Sequence, residues 1–268
     1  MSFGNDQKTS SSRLLPSALL IALVVLVGAL STRGSEPAGW TGKEGYYFYR
    51  GEDGTLAKGL TEIDGKMLFF GSNGAQLHGW RKVDDKYLHF RFGDEENGCA
   101  DADTTINGIV IGSDGLAVID SDAARAKAET MVCYSEWTDR FIRPDMTRRQ
   151  KLYACLFELR KFPYRAEGDE ILNVENWDVI CARELYLRRN KERYANCYRY
   201  AAGFSYMANA IGFTDVKSCA MWGHGWTMID GDIYDVPHTI RLGNEYFPVP
   251  KDQHDNFPAA YVRDMQLM

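Results

Sequence analysis

The sequence predicts an α+β chain in which small antiparallel β-hairpins come first and helices packed on an antiparallel sheet come last. Three observations carry this. Gly39-Trp40, Gly59-Leu60 and Gly79-Trp80 recur at a twenty-residue period, the mark of stacked small units. Leu152, Cys155, Leu156 and Leu159 fall at helical spacing. Asp230-Gly231 separates two β-rich runs, Gly225–Ile229 and Asp232–Val236, as the two-residue turn of a hairpin does.

With 268 residues the chain is long enough for two small domains. The net charge of -6, without any block of Lys and Arg, excludes the basic footprint of a nucleic-acid binder.

Residues 1–35 read as a signal peptide or a membrane anchor. Lys8 and Arg13 precede the uninterrupted apolar run Leu14–Leu30, and Ala29 and Ser31 suit the small-residue positions of a cleavage site. Cleaved or retained, such a segment exports the rest of the chain. The expected location is therefore extracellular, at the cell surface or wall, with membrane contact through this segment if it is kept.

Residues 36–120 form the repeats. Aromatic runs stand in register at Tyr46–Tyr49, Met67–Phe70 and Tyr87–Phe90. Asp53-Gly54 and Asn73-Gly74 come after them at matching offsets and are expected to supply the positive φ of tight hairpin turns. A degraded fourth unit ends near Ser113–Val118, after an acidic insertion from Asp94 to Asp103. The Gly-Trp, aromatic strand and Asn/Asp-Gly pattern resembles the cell-wall-binding, choline-binding-type repeats of Gram-positive surface proteins. The resemblance implies partners among wall polysaccharides or teichoic acids, and aromatic cages that hold a quaternary ammonium by cation–π attraction. Trp40, Tyr47, Phe69 and Trp80 are the candidates for such cages. The alternative is that these rings only staple neighbouring hairpins together.

Residues 121–130, rich in Ala and free of Gly and Pro, read as a helical linker. The remainder, 131–268, carries the chemistry. Helices are expected over 146–160, 176–186 and 198–211, the last closed by Gly212, so that Cys197 falls at a helix start. The free amides and positive end of a helix favour a thiolate and can donate to an oxyanion. Taken literally, the Asp230-Gly231 turn sets Trp226 opposite Asp235 and His224 opposite Pro237. His224 and Asp235 then become diagonal neighbours on one sheet face. Cys197, His224 and Asp235 could thus supply a nucleophile, its base and the group that orients the base. Asp230 and Asp232 compete with Asp235 but sit in the turn, and His238 and His254 lack a partner pattern.

The order Cys197, then His224-Gly225-Trp226, then Asp235 on the next strand, behind a helix at 145–160, resembles the transglutaminase-like superfamily, papain-related in its core. The resemblance implies Cys197 as nucleophile, His224 as general base and acid, Asp235 as its orienter, and Trp226 packing beside the site. It implies thioester acyl transfer on amide bonds of cell-envelope proteins or peptides, by transamidation or hydrolysis. The alternatives are a papain-related cysteine peptidase or peptidoglycan amidase, or a wall-binding surface protein without catalysis. No cofactor is expected, because side chains suffice for this chemistry. None of Cys99, Cys133, Cys155, Cys181, Cys197 and Cys219 has zinc-site spacing, so no metal is expected either, and Cys155 and Cys181 read as buried thiols.

Overall fold

The computed structural model describes residues 37–166, 174–221, 223–257 and 261–264. The apolar run Leu14–Leu30, with its reading as signal or anchor, lies outside the described residues. Among those described, no helix is long and apolar enough to cross a membrane. The described residues form one compact unit of mixed α and β structure.

Four antiparallel hairpins come first: β1 (Gly39–Lys43) with β2 (Tyr46–Arg50), β3 (Gly59–Ile63) with β4 (Lys66–Phe70), β5 (Gly79–Val83) with β6 (Lys86–Phe90), and β7 (Thr104–Ile106) with β8 (Ile109–Ile111). Their two-residue turns are Glu44-Gly45, Asp64-Gly65, Asp84-Asp85 and Asn107-Gly108, and the first residue of each has positive φ. The expected turn residues Asp53-Gly54 and Asn73-Gly74 lie elsewhere, in the connectors after β2 and β4. There the Asp53 and Asn73 carboxyl and amide oxygens accept from the backbone N–H two residues on, at 3.0 and 3.1 Å. Asp114 repeats the motif at 3.0 Å in the fourth unit. These side chains hold the tail of each unit against its own hairpin.

Hydrogen bonds between units explain the period. Gln76 N–H donates to Tyr47 O (2.8 Å), Ala100 N–H to Met67 O (2.8 Å) and Ala117 N–H to Tyr87 O (2.9 Å). The acceptors stand twenty residues apart, so each unit leans on the hairpin before it. In the third unit the acidic insertion, with a 3-10 turn at Glu95–Gly98, lengthens this tail without breaking the ladder.

Helix α1 (Asp122–Thr138) is capped by Ser121, whose Oγ accepts from Ala124 N–H at 3.1 Å. The segment expected to be a linker, 121–130, is the cap and first half of this helix, and Ala128 and Thr130 within it are buried. Met131, Tyr134 and Trp137 share one hydrophobic cluster with Trp80, Tyr87, Ile109 and Ile111 of the hairpins. Ser135 Oγ also accepts from Trp80 N–H at 3.2 Å. The last two hairpins and the helices therefore bury their apolar faces in common.

Helix α2 (Arg148–Leu159) begins with a reciprocal capping box between Thr147 and Gln150. Helices α3 (Trp177–Arg188) and α4 (Cys197–Ala210) come next, and all of α4 except Arg199 and Asn209 is buried. Strands β9 (Val216–Met221), β10 (His224–Ile229), β11 (Asp232–Tyr234) and β12 (Tyr261–Asp264) make an antiparallel sheet in the order β11-β10-β9-β12. Between β11 and β12 lies the short helix α5 (Val236–Leu242). The strand expected to run to Val236 stops at Tyr234 because Asp235 caps α5 and Pro237, without an N–H, suits its first turn.

Candidate active site

Two elements carry the site, and the sequence determines how they meet. α4 lies across β10, and Thr227 of β10 points into it: Thr227 Oγ1 donates to Ala201 O at 2.8 Å and accepts from Ser205 Oγ at 3.1 Å. Both side chains are buried, so these polar groups fix the helix on the strand while satisfying each other. Gly225 allows close approach at the Cys197 end of α4. A Cβ there would stand 3.0 Å from Tyr198 Cδ1, 3.1 Å from Tyr198 Cα and 3.2 Å from Cys197 O. Tyr198 OH donates to Met221 O at 3.1 Å, which ties the start of α4 to the end of β9.

Cys197 is the first residue of α4. Asn196 caps the helix with its side-chain oxygen, which accepts from Arg199 N–H at 3.0 Å. Amides of a helix first turn have no acceptor within the helix, so the Cys197 N–H belongs to the set that can receive an oxyanion. Cys197 Sγ lies 4.0 Å from Gly223 O, a weak contact for a thiol.

The β10–β11 pairing places Thr227 opposite Tyr234 and Ile229 opposite Asp232, around Asp230 and Gly231 with φ of 52° and 82°. The pairing ends at Thr227 and Tyr234, and Asp235 follows directly as the cap of α5. His224 Nε2 reaches Asp235 Oδ2 at 2.6 Å. Asp235 is 1% exposed and divides its carboxylate: Oδ2 takes the imidazole, and Oδ1 accepts from His238 N–H at 3.0 Å as the cap of α5. Fixing the carboxylate to a helix end leaves it little freedom to swing from the ring.

Burial works against a charge on His224, yet the hydrogen bonds to Asp235 and to Cys197 outweigh it and push the imidazole up to about 10. At neutral pH the ring is then imidazolium, with a proton on each nitrogen. Nε2 serves Asp235, which leaves Nδ1 for Cys197. Trp226 stacks beside His224, with ring centroids 6.0 Å apart, and Phe257 closes on both. Asp230 instead pairs with Arg148 at 2.6 Å, and His254 Nε2 lies 3.2 Å from Val249 O.

A cleft of about 530 Å³ opens on Cys197, His224 and Asp235. Tyr164, Tyr200, Pro237, His238, Ile240 and Arg241 complete its walls. None of these stands out in the sequence as a substrate contact, and His238 lacks a partner pattern there. Tyr200 packs, since its hydroxyl donates to Phe162 O, but one side of it faces the cleft. The signal that could have found the α5 residues is Asp235-Val236-Pro237, a capping residue followed by Pro at a helix start.

The other sequence candidates lie in the hairpins. Trp40 packs on Tyr49 and Phe70, with centroids at 5.3 and 6.0 Å. Phe69 packs on Phe90, and the Arg81 guanidinium stands 5.9 Å from its ring centroid. Tyr47 is half-buried. Trp80 is 1% exposed and donates through Nε1 to Asn107 Oδ1 at 2.9 Å, so its ring is a staple in the core and offers no open face. The structure does not gather the four into one cage. Among the described residues all six cysteines are free thiols, and no group of three or more His, Cys, Asp and Glu could hold a metal. Burial pushes the Cys155 and Cys181 thiols far up, which marks them as inert.

No family model matches the chain, and no curated protein matches it. Solved structures do. It is similar to the choline binding domain of Spr1274 in Streptococcus pneumoniae at 24% identity and a TM-score of 0.27, over 31% of this chain and 96% of that one. Choline binding protein F from Streptococcus pneumoniae, solved with a peptidoglycan analogue, is similar at 20% identity and a TM-score of 0.27, over 31% of this chain and 27% of that one. The modular Cpl-1 endolysin, complexed with a peptidoglycan analogue, is similar at 15% identity and a TM-score of 0.22, over 33% of this chain and 25% of that one. This chain therefore spans about a quarter of the length of the last two.

Proposed function

We propose that the protein is an exported, transglutaminase-like cysteine enzyme that transfers acyl groups from amide bonds of envelope proteins or peptides. The observation that supports this reading is His224 held between Asp235, at 2.6 Å, and a cysteine at a helix start, all three lining one cleft. Cys197 Sγ attacks the amide carbonyl, and the C–N bond breaks as His224 delivers its proton to the departing nitrogen. A thioester remains. Water or a primary amine then attacks it while His224 takes back a proton, and the C–S bond breaks to return the sulfur as thiolate beside the imidazolium. Asp235 keeps the ring in place throughout and stays ionised.

The test is to incubate the exported chain with envelope peptides, with and without a labelled primary amine, and to look by mass for the thioester on Cys197. Amine incorporation identifies a transamidase, and release of ammonia or peptide without incorporation identifies a hydrolase such as a peptidase or peptidoglycan amidase. Turnover that survives Cys197→Ala would exclude both.

A second reading is a wall-binding surface protein whose trio has lapsed. The hairpin stack, with its twenty-residue ladder, supports it. Full-length Cys197→Ala protein that sediments with cell walls as well as wild type, in a protein with no measurable turnover, would select this reading. Failure to sediment would leave the repeats as a structural spacer.

A further inference from the structure

The cleft has a charge bias that the Cys–His–Asp trio does not use. Arg241 lines it from the last turn of α5, and its side chain makes no hydrogen bond or ion pair among the described residues. No open carboxylate balances it: Asp235, the sole acid on the walls, is 1% exposed and engaged by His224 and the His238 amide. The remaining walls, Tyr164, Tyr200, Pro237, His238 and Ile240, contribute no carboxylate. From Asp235, which caps the helix, to Arg241 is about 9 Å along the axis at the rise of an α-helix. Over that distance an extended peptide advances roughly two or three residues.

We infer that Arg241 is the specificity determinant of the cleft and receives a substrate carboxylate two or three residues from the amide bond that Cys197 attacks. The acyl donor is thus an acidic peptide. This rests on the assignment of Cys197 as nucleophile, and it concerns recognition alone. Guanidinium is suited to the task because its planar fork matches a carboxylate in two parallel hydrogen bonds.

Two small reagents test it without knowledge of the substrate. Iodoacetate and iodoacetamide both alkylate a thiolate, the sulfur forming a C–S bond as iodide leaves, and they differ in one carboxylate. Rates at Cys197 are read by peptide mass in wild type, Arg241→Gln, Arg241→Glu and Arg241→Lys at low and high salt. A unit charge at a separation on the order of 10 Å changes the rate for the anion roughly two- to fourfold at effective dielectrics between about 80 and 40. The iodoacetate-to-iodoacetamide ratio is expected to fall by that factor in Arg241→Gln and further in Arg241→Glu. Arg241→Lys should keep most of it, and the differences should shrink at high salt. The iodoacetamide rate should not move. With a matched pair of peptide amides carrying Glu or Gln at the predicted distance, Arg241→Gln should raise KM for the Glu peptide alone and leave kcat in place.

A ratio unchanged across the variants, while Cys197 still reacts rapidly, overturns the role of Arg241 and leaves the acyl-transfer reading standing. A wild-type Cys197 that neither reagent modifies overturns both. A purely structural Arg241, neutralising the end of α5, would lower the melting temperature of Arg241→Gln without touching the ratio.

Discussion

Replacing Asp235 separates two duties that one carboxylate performs. Asp235→Asn keeps an oxygen able to accept from His238 N–H, so α5 retains its cap, but the variant removes the negative charge facing His224. Asp235→Ala removes both. Loss of the cap costs about 1 kcal/mol, a fall in melting temperature of roughly 2–4 °C for a protein of this size. The Asn variant should be spared most of that. The imidazole responds the other way. Burial opposes its charge, and the hydrogen bond to Asp235 is the largest of the influences that hold it up at about 10, so in either variant it should drop toward its ordinary 6.5. The sign comes from linkage. His224 binds its proton more tightly folded than unfolded, so its stabilising contribution is complete below about pH 6.5 and lost as pH rises through about 10. The stability gap between wild type and Asp235→Asn should therefore be widest at pH 6 and close by pH 10.5. NMR titration of the five histidine rings gives the His224 value directly, and melts at several pH values give the gap. Turnover should fall about 10²- to 10⁴-fold, the usual contribution of a positioned acid–base. A His224 ring that still titrates near 10 in Asp235→Asn would refute the reasoning. So would Asn and Ala variants of equal stability.

Three further outcomes are expected from the packing. Gly225→Ala drives a methyl against backbone atoms of Cys197 and Tyr198, so Cys197 alkylation should slow and stability should fall by about 1–3 kcal/mol in a denaturant titration. Thr227→Val keeps the shape and removes the hydroxyl that joins β10 to α4, while Ser205 Oγ keeps its own bond to Ala201 O at 2.9 Å; it should cost about 0.5–1.5 kcal/mol, and a neutral melt would show that the α4–β10 contact does not depend on the Thr227 hydroxyl. Trp80→Ala should cost about 3–5 kcal/mol and lower the melting of the helical part together with the hairpins, which a two-step melt would contradict.

How far the sequence reaches is visible in particular residues. The Asp230-Gly231 turn is readable because both positions need positive φ and the alternating pattern on either side admits one register. The same logic misplaces the repeat turns. Each unit contains two turn signals, such as Asp64-Gly65 and Asn73-Gly74, and local chemistry cannot say which joins paired strands and which ties the tail. Trp80 shows a second limit. Its spacing resembles that of a ligand-binding ring, but its burial is decided by α1, which arrives from about fifty residues downstream and seats Ser135 on its amide. The cleft walls are a third case, because Tyr164, Tyr200 and Arg241 come from separate elements and meet only after α4 and α5 have docked.

The common core of Trp80, Tyr87, Ile109 and Ile111 with α1 carries a consequence for how the molecule works at a surface. A catalytic part tethered by a flexible linker sweeps a large volume and meets its target at any angle. Here the hairpins nearest the helices are welded to them, so anything that grips the stack also fixes the direction in which the cleft faces. Reach is exchanged for aim: the protein would act on the few bonds that its mounting presents, and disrupting the packing of Trp80 on α1 would uncouple grip from cut.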